Sequence, residues 1–215
     1  MRFVLATWGS RGDCEPFLAL AVACVRAGHH VVLGAPPNAG FAAAAAHHSV
    51  SFIPLGPALD GGETRHDRSR AAATASEGLR MTIEDHLVPN LESMHRDLVN
   101  VGQDADIIIA HSIQPAGRMA AESLRLPFVS ATMVPGYLPT RYRSPPGIPN
   151  LGPWVNRLIW QAGTRFGDRH WAPGVNQVRV QVGLLPLRNL CGDTLYSPDL
   201  NLVVASPSIW EAPPD

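Results

Sequence analysis

The chain has 215 residues, enough for one large domain with a real core. Only 16% of its residues are charged and its formal net charge is -1, which gives no general electrostatic case for nucleic acid or for an acidic membrane. The three cysteines, Cys14, Cys24 and Cys191, make neither a disulfide framework nor a metal-binding pair, and no apolar run suits a signal peptide or a bilayer span; these features read as a cytoplasmic protein with free thiols, no metal and no cofactor.

Residues 2–8 (RFVLATW) form a short apolar run that reads as a buried parallel strand. A tight loop, Gly9 to Asp13, follows. Pro16 suits a first helical turn, residues 17–27 continue as a helix, and Gly28 closes it. Residues 30–35 read as a second strand ended by Pro36 and Pro37, residues 38–48 as an alanine-rich helix, and residues 51–54 as a third strand. This close alternation predicts a Rossmann-like α/β fold: an open parallel sheet with helices on both faces. In such sheets the ligand crevice lies outside the carboxyl ends of the strands.

Residues 56–78 read as a long polar loop. Helical spacing returns over 81–101, with Ile83, Leu87, Leu91, Met94, Leu98 and Val101 on one face and Pro89 expected to kink or divide the helix. A strand over 106–111, a helix over 115–124 and a strand over 128–132 come next. Residues 134–153 form a second long loop, rich in Pro and Gly, that carries Tyr137, Arg141, Tyr142 and Arg143. Residues 154–166 are amphipathic, Pro173 and Gly174 mark a break, and 175–182 continue as helix. Residues 190–199 read as irregular, 202–205 as a last strand, and the proline-rich tail has no element.

The loop between the first strand and helix is G-x-x-G, not the G-x-G-x-x-G of a dinucleotide site. The second strand ends Gly34-Ala35-Pro36-Pro37 without a carboxylate to hold a ribose, and no G-K-[ST] phosphate loop occurs. What the loop offers is Asp13, at a helix start and at the crevice edge. Helix capping by itself accounts for an Asp there. A catalytic base at the same place is favoured if an apolar crevice raises its pKa. The residues alone leave both readings open. His111 and Ser112 follow a strand and face the crevice, as a second base, as acceptor contacts or simply as backbone-bonded residues. The pairs His29-His30 and His47-His48 point apart and make no metal site. Arg11-Gly12-Asp13 spells an adhesion tripeptide, but in a tight, recessed loop.

The chain resembles the N-terminal domain of bacterial GT-B glycosyltransferases of the sterol-glucosyltransferase, glycopeptidolipid and glycopeptide-antibiotic type. The resemblance rests on RFVLATWGSRGDCEPFLALAVACVRAGHHVVLGAPP, AAESLRLPFVSAT, NRLIW with VNQVRVQVGLLPLR, and LNLVVASPSIWEAPPD. It implies the acceptor-binding half of an inverting hexosyltransferase, which moves a hexose from a nucleotide-diphosphate sugar to a hydroxyl of a lipid, sterol or natural product. In that family Asp13 is the position of the general base. Gly9, Ser10, Arg11 and Gly12 lie near the donor diphosphate, and His111, Ser112, Tyr137, Arg141 and Tyr142 fall where the acceptor pocket is built. The resemblance implies an acceptor domain over 1–205 and the start of an interdomain linker over 206–215. The family's H-x-G-x-G-T donor stretch does not occur, so a donor-binding domain is expected to be absent and the chain inactive alone. Cys14 stands where the family usually has Val, as harmless packing. The alternative is a catalytically silent binding or regulatory partner. A face left bare by a missing domain would suit peripheral membrane contact or self-association; no nucleic-acid partner is expected.

Overall fold

Six short strands carry the architecture: β1 (Arg2–Ala6), β2 (His30–Ala35), β3 (Ser51–Pro54), β4 (Ile107–His111), β5 (Phe128–Thr132) and β6 (Leu200–Val203). In the computed structural model, which describes residues 1–37, 40–57, 80–81, 83–206, 208 and 210–214, they form one parallel sheet in the order β3-β2-β1-β4-β5-β6. Leu5 of β1 is in register with Leu33 of β2 on one side and with Ile109 of β4 on the other. The central strands are apolar along their length because both of their faces are covered.

The covering helices are α1 (Arg11–Arg26), α2 (Phe41–His47), α3 (Val88–Gly102), α4 (Pro115–Leu124), α5 (Pro153–Gln181) and α6 (Leu190–Leu195). The two-residue period of the strands sorts the core into two layers. Val4, Ala6, Ile108 and Ala110 face Leu91, Met94, Leu98 and Met119 of α3 and α4. Leu5, Leu33, Ile109 and Ala131 face Phe17, Ala21, Phe41 and Ala45 of α1 and α2. The Rossmann-like fold with helices on both faces is therefore present. From β1 the chain winds outward to β2 and β3, then returns to β1's other edge and winds outward again through β4, β5 and β6. That reversal opens a crevice beyond the ends of β1 and β4.

Several local expectations hold. Gly28, at φ +83, follows the end of α1, and the N–H groups of Gly28 and His29 donate to the carbonyls of Val25 and Cys24, which closes the helix in a Schellman motif. Pro89 lies in the first turn of α3, just after a π-helical turn over Ile83–Leu87, so the expected division falls there. Other expectations are corrected. Helix α1 begins at Arg11, not after Asp13, so Gly12 and Asp13 are helical and the loop shrinks to Gly9 and Ser10. Pro16 is the sixth residue of the helix and removes the N–H that the Gly12 carbonyl would accept. Pro173 and Gly174 do not break α5. The helix runs through them because Gly174 lets it sit against Val88 of α3, where a Cβ would meet Val88 Cγ1 at 3.2 Å. Residues 190–195, expected to be irregular, are helical; the Asn189 side chain caps them by accepting from the Gly192 N–H. The last strand is Leu200–Val203 rather than 202–205. Most of the expected polar loop over 56–78 lies outside the described residues, as do the first two residues of the expected alanine-rich helix.

Close packing of α4 on the sheet gives a contrast between two glycines. A Cβ on Gly117 would collide with Ala110 Cβ of β4, whereas one on Gly163, exposed on α5, would meet nothing within 4 Å. Gly117→Ala should cost about 1–3 kcal/mol in urea unfolding. Gly163→Ala should be neutral or stabilise by up to about 1 kcal/mol. Equal effects would contradict this packing.

Candidate active site

Strand β1 ends into Thr7 and Trp8, and the chain then turns sharply at Gly9. Gly9 has φ +131, and a Cβ there would run into the Asp13 carboxylate, so glycine is required on both counts. Ser10 is the N-cap of α1 and Asp13 its third residue. The Asp13 Oδ2 accepts from the Ser10 backbone N–H at 2.8 Å and from the Ser10 hydroxyl at 2.9 Å. This is the carboxylate arm of a capping box, and it sits favourably at the positive end of the helix dipole. The Thr7 hydroxyl donates to the Asp13 carbonyl at 2.9 Å and ties the first turn back to the strand.

His111 is the last residue of β4, the strand beside β1. Its Nδ1 accepts from the Ile113 N–H at 3.2 Å, which puts the ring proton of the neutral form on Nε2. Nε2 lies 3.4 Å from Asp13 Oδ1. That is longer than a well-formed hydrogen bond, so it is a loose contact aimed at the carboxylate, and Nε2 has no closer partner among the described residues. Phe17, one helical turn beyond Asp13, stacks on the imidazole at 6.1 Å between ring centres. The His111 side chain is 5% exposed and that of Asp13 24%. Solvent therefore reaches the carboxyl but scarcely reaches the ring.

Burial pushes the Asp13 carboxyl up, but the His111 ring and the Ser10 hydroxyl and amide outweigh it and hold the group below its ordinary value of 3.8. The condition that would have favoured a base here, an apolar crevice that raises the pKa, is not met: the carboxylate has too many donors for desolvation to win. Asp13 is therefore ionised and oriented at neutral pH. Each carboxylate oxygen has two lone pairs. Oδ2 uses both on Ser10, and Oδ1 faces only the distant His111 Nε2. Oδ1 is the atom with capacity to take a proton.

The other sequence-predicted residues divide. Ser112 is buried at 7% exposure, and its N–H donates to the Ala131 carbonyl. Gly12 is exposed in the first turn, and the Arg11 guanidinium turns along α1 to pair with Glu15. Tyr137 is exposed in a 3-10 turn over Pro135–Tyr137, and its carbonyl accepts from the Tyr196 hydroxyl. Arg141 lies over the Tyr142 ring at 5.0 Å and donates to its hydroxyl. Among the described residues no hydrogen bond or ion pair joins these three to Asp13 or His111. Arg141 instead lines a separate cavity of about 570 Å³ formed with α5, which neither Asp13 nor His111 reaches. Sequence reasoning missed Thr7 and Phe17. The signal for Phe17 was its four-residue spacing from Asp13, hidden by placing Asp13 in the loop before the helix.

An all-parallel α/β sheet whose strand order reverses at β1, with helices on both faces, defines a Rossmann-like domain. The model of the glycosyltransferase family 28 N-terminal domain matches residues 3–142, and the chain belongs to that family. It is 30% identical over 200 residues to glycosyltransferase GtfE of Amycolatopsis orientalis, covering 88% of this chain and 46% of that protein. It is 27% identical over 196 residues to vancomycin aglycone glucosyltransferase of the same organism, covering 88% and 46%. The chain thus spans about half the length of these relatives. Among solved structures, the calicheamicin glycosyltransferase CalG4 superposes with a TM-score of 0.62 at 15% identity, covering 96% of this chain and 48% of that one. Glycosyltransferase VinC, solved in complex with dTDP, superposes with a TM-score of 0.56 at 20% identity, covering 99% and 52%.

The lowered pKa has a consequence for stability. A carboxyl whose folded pKa lies below its unfolded one contributes stability above the unfolded value and loses it as pH falls through the folded one. The stability difference between the wild type and Asp13→Asn should be constant from about pH 7 to pH 5 and shrink below about pH 4. Urea unfolding at a series of pH values measures it. A difference that grew on acidification would mean that burial, not the donors, governs this group.

Proposed function

We propose that this chain is the acceptor-binding half of an inverting glycosyltransferase in which Asp13 is the general base. The observation that carries the reading is the free proton-accepting capacity of Oδ1 on an ionised carboxylate that solvent reaches, at the mouth of the crevice. The acceptor hydroxyl approaches Oδ1. As its oxygen attacks the anomeric carbon of the sugar, its proton passes to Asp13 and the C–O bond to the nucleoside diphosphate breaks, which inverts that centre. A lowered pKa makes Asp13 a modest base in the ground state, so its contribution comes from position and permanent ionisation more than from intrinsic basicity. His111 acts through Asp13 as a positioning residue: its Nε2–H faces Oδ1 and steadies the carboxylate, and its own ring is too buried to meet the acceptor directly.

The first turn of α1 supplies the other half of the chemistry. Arg11 and Gly12 are exposed at the helix start, where first-turn N–H groups suit the diphosphate that leaves, and Gly9 and Ser10 lie beside them. The exposed loop after β5, with Tyr137, Arg141 and Tyr142, is the region assigned to the acceptor, which is a hydroxylated lipid, sterol or natural product. Residues 1–205 make the acceptor domain, and the sugar is a hexose bound by a second, donor-binding half. The comparisons support this division, since the relatives are about twice as long and VinC holds dTDP.

Two measurements test the reading. In the assembled transferase, Asp13→Asn should lower kcat by about 100-fold or more while circular dichroism stays unchanged. Near-normal turnover would remove Asp13 from the mechanism. These 215 residues alone should not turn over a nucleotide sugar, and measurable transfer by them would overturn the need for a second half.

A further inference from the structure

The cavity beside α5 gathers positive charge in a chain that is slightly negative overall. Arg141, Arg157 and Arg165 all line it, and among the described residues that line it Asp168 is the one carboxylate. The Asp168 Oδ1 accepts from the Cys191 N–H at 2.8 Å, and among the described residues no ion pair joins Asp168 to either Arg157 or Arg165. Among the described residues neither Arg157 nor Arg165 pairs with a carboxylate. Both side chains belong to the exposed half of α5 and share a helical face with Trp160 and Thr164. The Trp160 indole N–H donates to the Arg143 carbonyl at 2.8 Å, and the Thr164 hydroxyl donates to the Trp160 carbonyl, so this wall is fixed.

Two large apolar side chains on the same stretch of helix are bare. Trp154 is 79% exposed and Leu158 64%. These side chains flank the arginines along one stretch of helix. A small polyanion would use the guanidiniums and leave Trp154 and Leu158 in water. A neutral hydrophobe would cover those two and leave the guanidiniums without an oxyanion. Only a molecule with an anionic head and an apolar body satisfies both. Planar, five-donor guanidiniums favour phosphate or carboxylate oxygens as that head, and a tetrahedral phosphate can be shared by two of them.

We propose that this cavity is a binding site for a phosphate-bearing amphiphile, with the phosphate held by Arg157 and Arg165 and the apolar chain laid against Trp154 and Leu158. Because Arg141 belongs both to this cavity and to the loop assigned to the acceptor, the site narrows the acceptor to a hydroxylated lipid that carries a phosphate. That last step rests on the acceptor reading above. The binding itself does not, since it is measured without turnover; failure of Asp13 as a base leaves it standing, and its failure leaves Asp13 untouched.

The test is calorimetric titration of the chain with decyl phosphate below its micelle concentration, with inorganic phosphate and decyl glucoside as head-only and tail-only probes. Decyl phosphate should bind at least about tenfold tighter than either, which is about 1.4 kcal/mol. The double variant Arg157→Gln, Arg165→Gln should lose that advantage while keeping its helical signal and unfolding midpoint. Trp154→Ala with Leu158→Ala should bring decyl phosphate down to the level of inorganic phosphate. In a second arm, phosphatidylglycerol and phosphatidylcholine vesicles are sedimented with the chain. Arginine-dependent capture by phosphatidylglycerol vesicles without decyl phosphate binding would place the phosphate in a bilayer and overturn its assignment to a single acceptor molecule. Equal binding of decyl phosphate to the wild type and the arginine double variant, or no binding in either arm, would overturn the site.

Discussion

The crevice is organised around one carboxylate that is shared between two strands. Asp13 takes two donors from Ser10, in the turn that follows β1, and faces a third on His111, at the end of β4. Those two segments are neighbours only because the strand order reverses at β1, which sets the β1 and β4 ends side by side. A sheet wound in one direction would leave Asp13 as an ordinary helix cap. Gly9 completes the constraint, since any side chain there would displace the carboxylate it turns toward. Capping therefore does not exclude the proposed catalytic role of Asp13: the same Ser10 contacts that start the helix also fill one carboxylate oxygen and leave the other available.

The rest of the fold keeps this arrangement rigid while leaving one surface free. The C-terminal half of α5 is locked to α4 through Arg179, 2% exposed, which donates to Glu122 Oε2 at 2.6 Å and to the Leu185 carbonyl. Burial pushes the Glu122 carboxyl up, but Arg179 and Arg118 outweigh it and hold the group below its ordinary range. A buried pair of this kind fixes geometry more than it adds stability. In the N-terminal half of the same helix Trp154, Arg157, Leu158 and Arg165 are exposed. One helix thus serves as a brace at one end and as a binding wall at the other.

Much of the fold was legible because buried parallel strands are written as short apolar runs; β2, β3, β5 and helix α4 fall where those runs and their caps place them. Errors arose where a local signal competed with a longer-range one. Pro16 reads as a first-turn marker, and that reading masked the Ser10–Asp13 capping pattern three residues apart. The Pro173–Gly174 pair reads as a break, but packing on Val88 uses the glycine to bring α5 close and carries the helix through. In the site, Asp13 and His111 were each visible as residues at strand ends. Their contact was not, because the sequence does not state that β4 lies beside β1. Nor did it state the sign of the Asp13 pKa shift, which depends on counting donors that only the folded loop assembles. The arginine cavity was invisible for a related reason: Arg141 and Arg157 come from a loop and a helix whose approach is a tertiary fact.

The most direct test of this account is the protonation and coupling of His111, measured by long-range proton–nitrogen correlation NMR on the imidazole of the folded chain. In the neutral form of the ring the account requires the proton on Nε2, with Nδ1 accepting from Ile113. The Nε2 resonance should move when Asp13 is replaced by Asn. A ring protonated on Nδ1, or an Nε2 resonance indifferent to Asp13, would contradict the shared carboxylate on which the site is built.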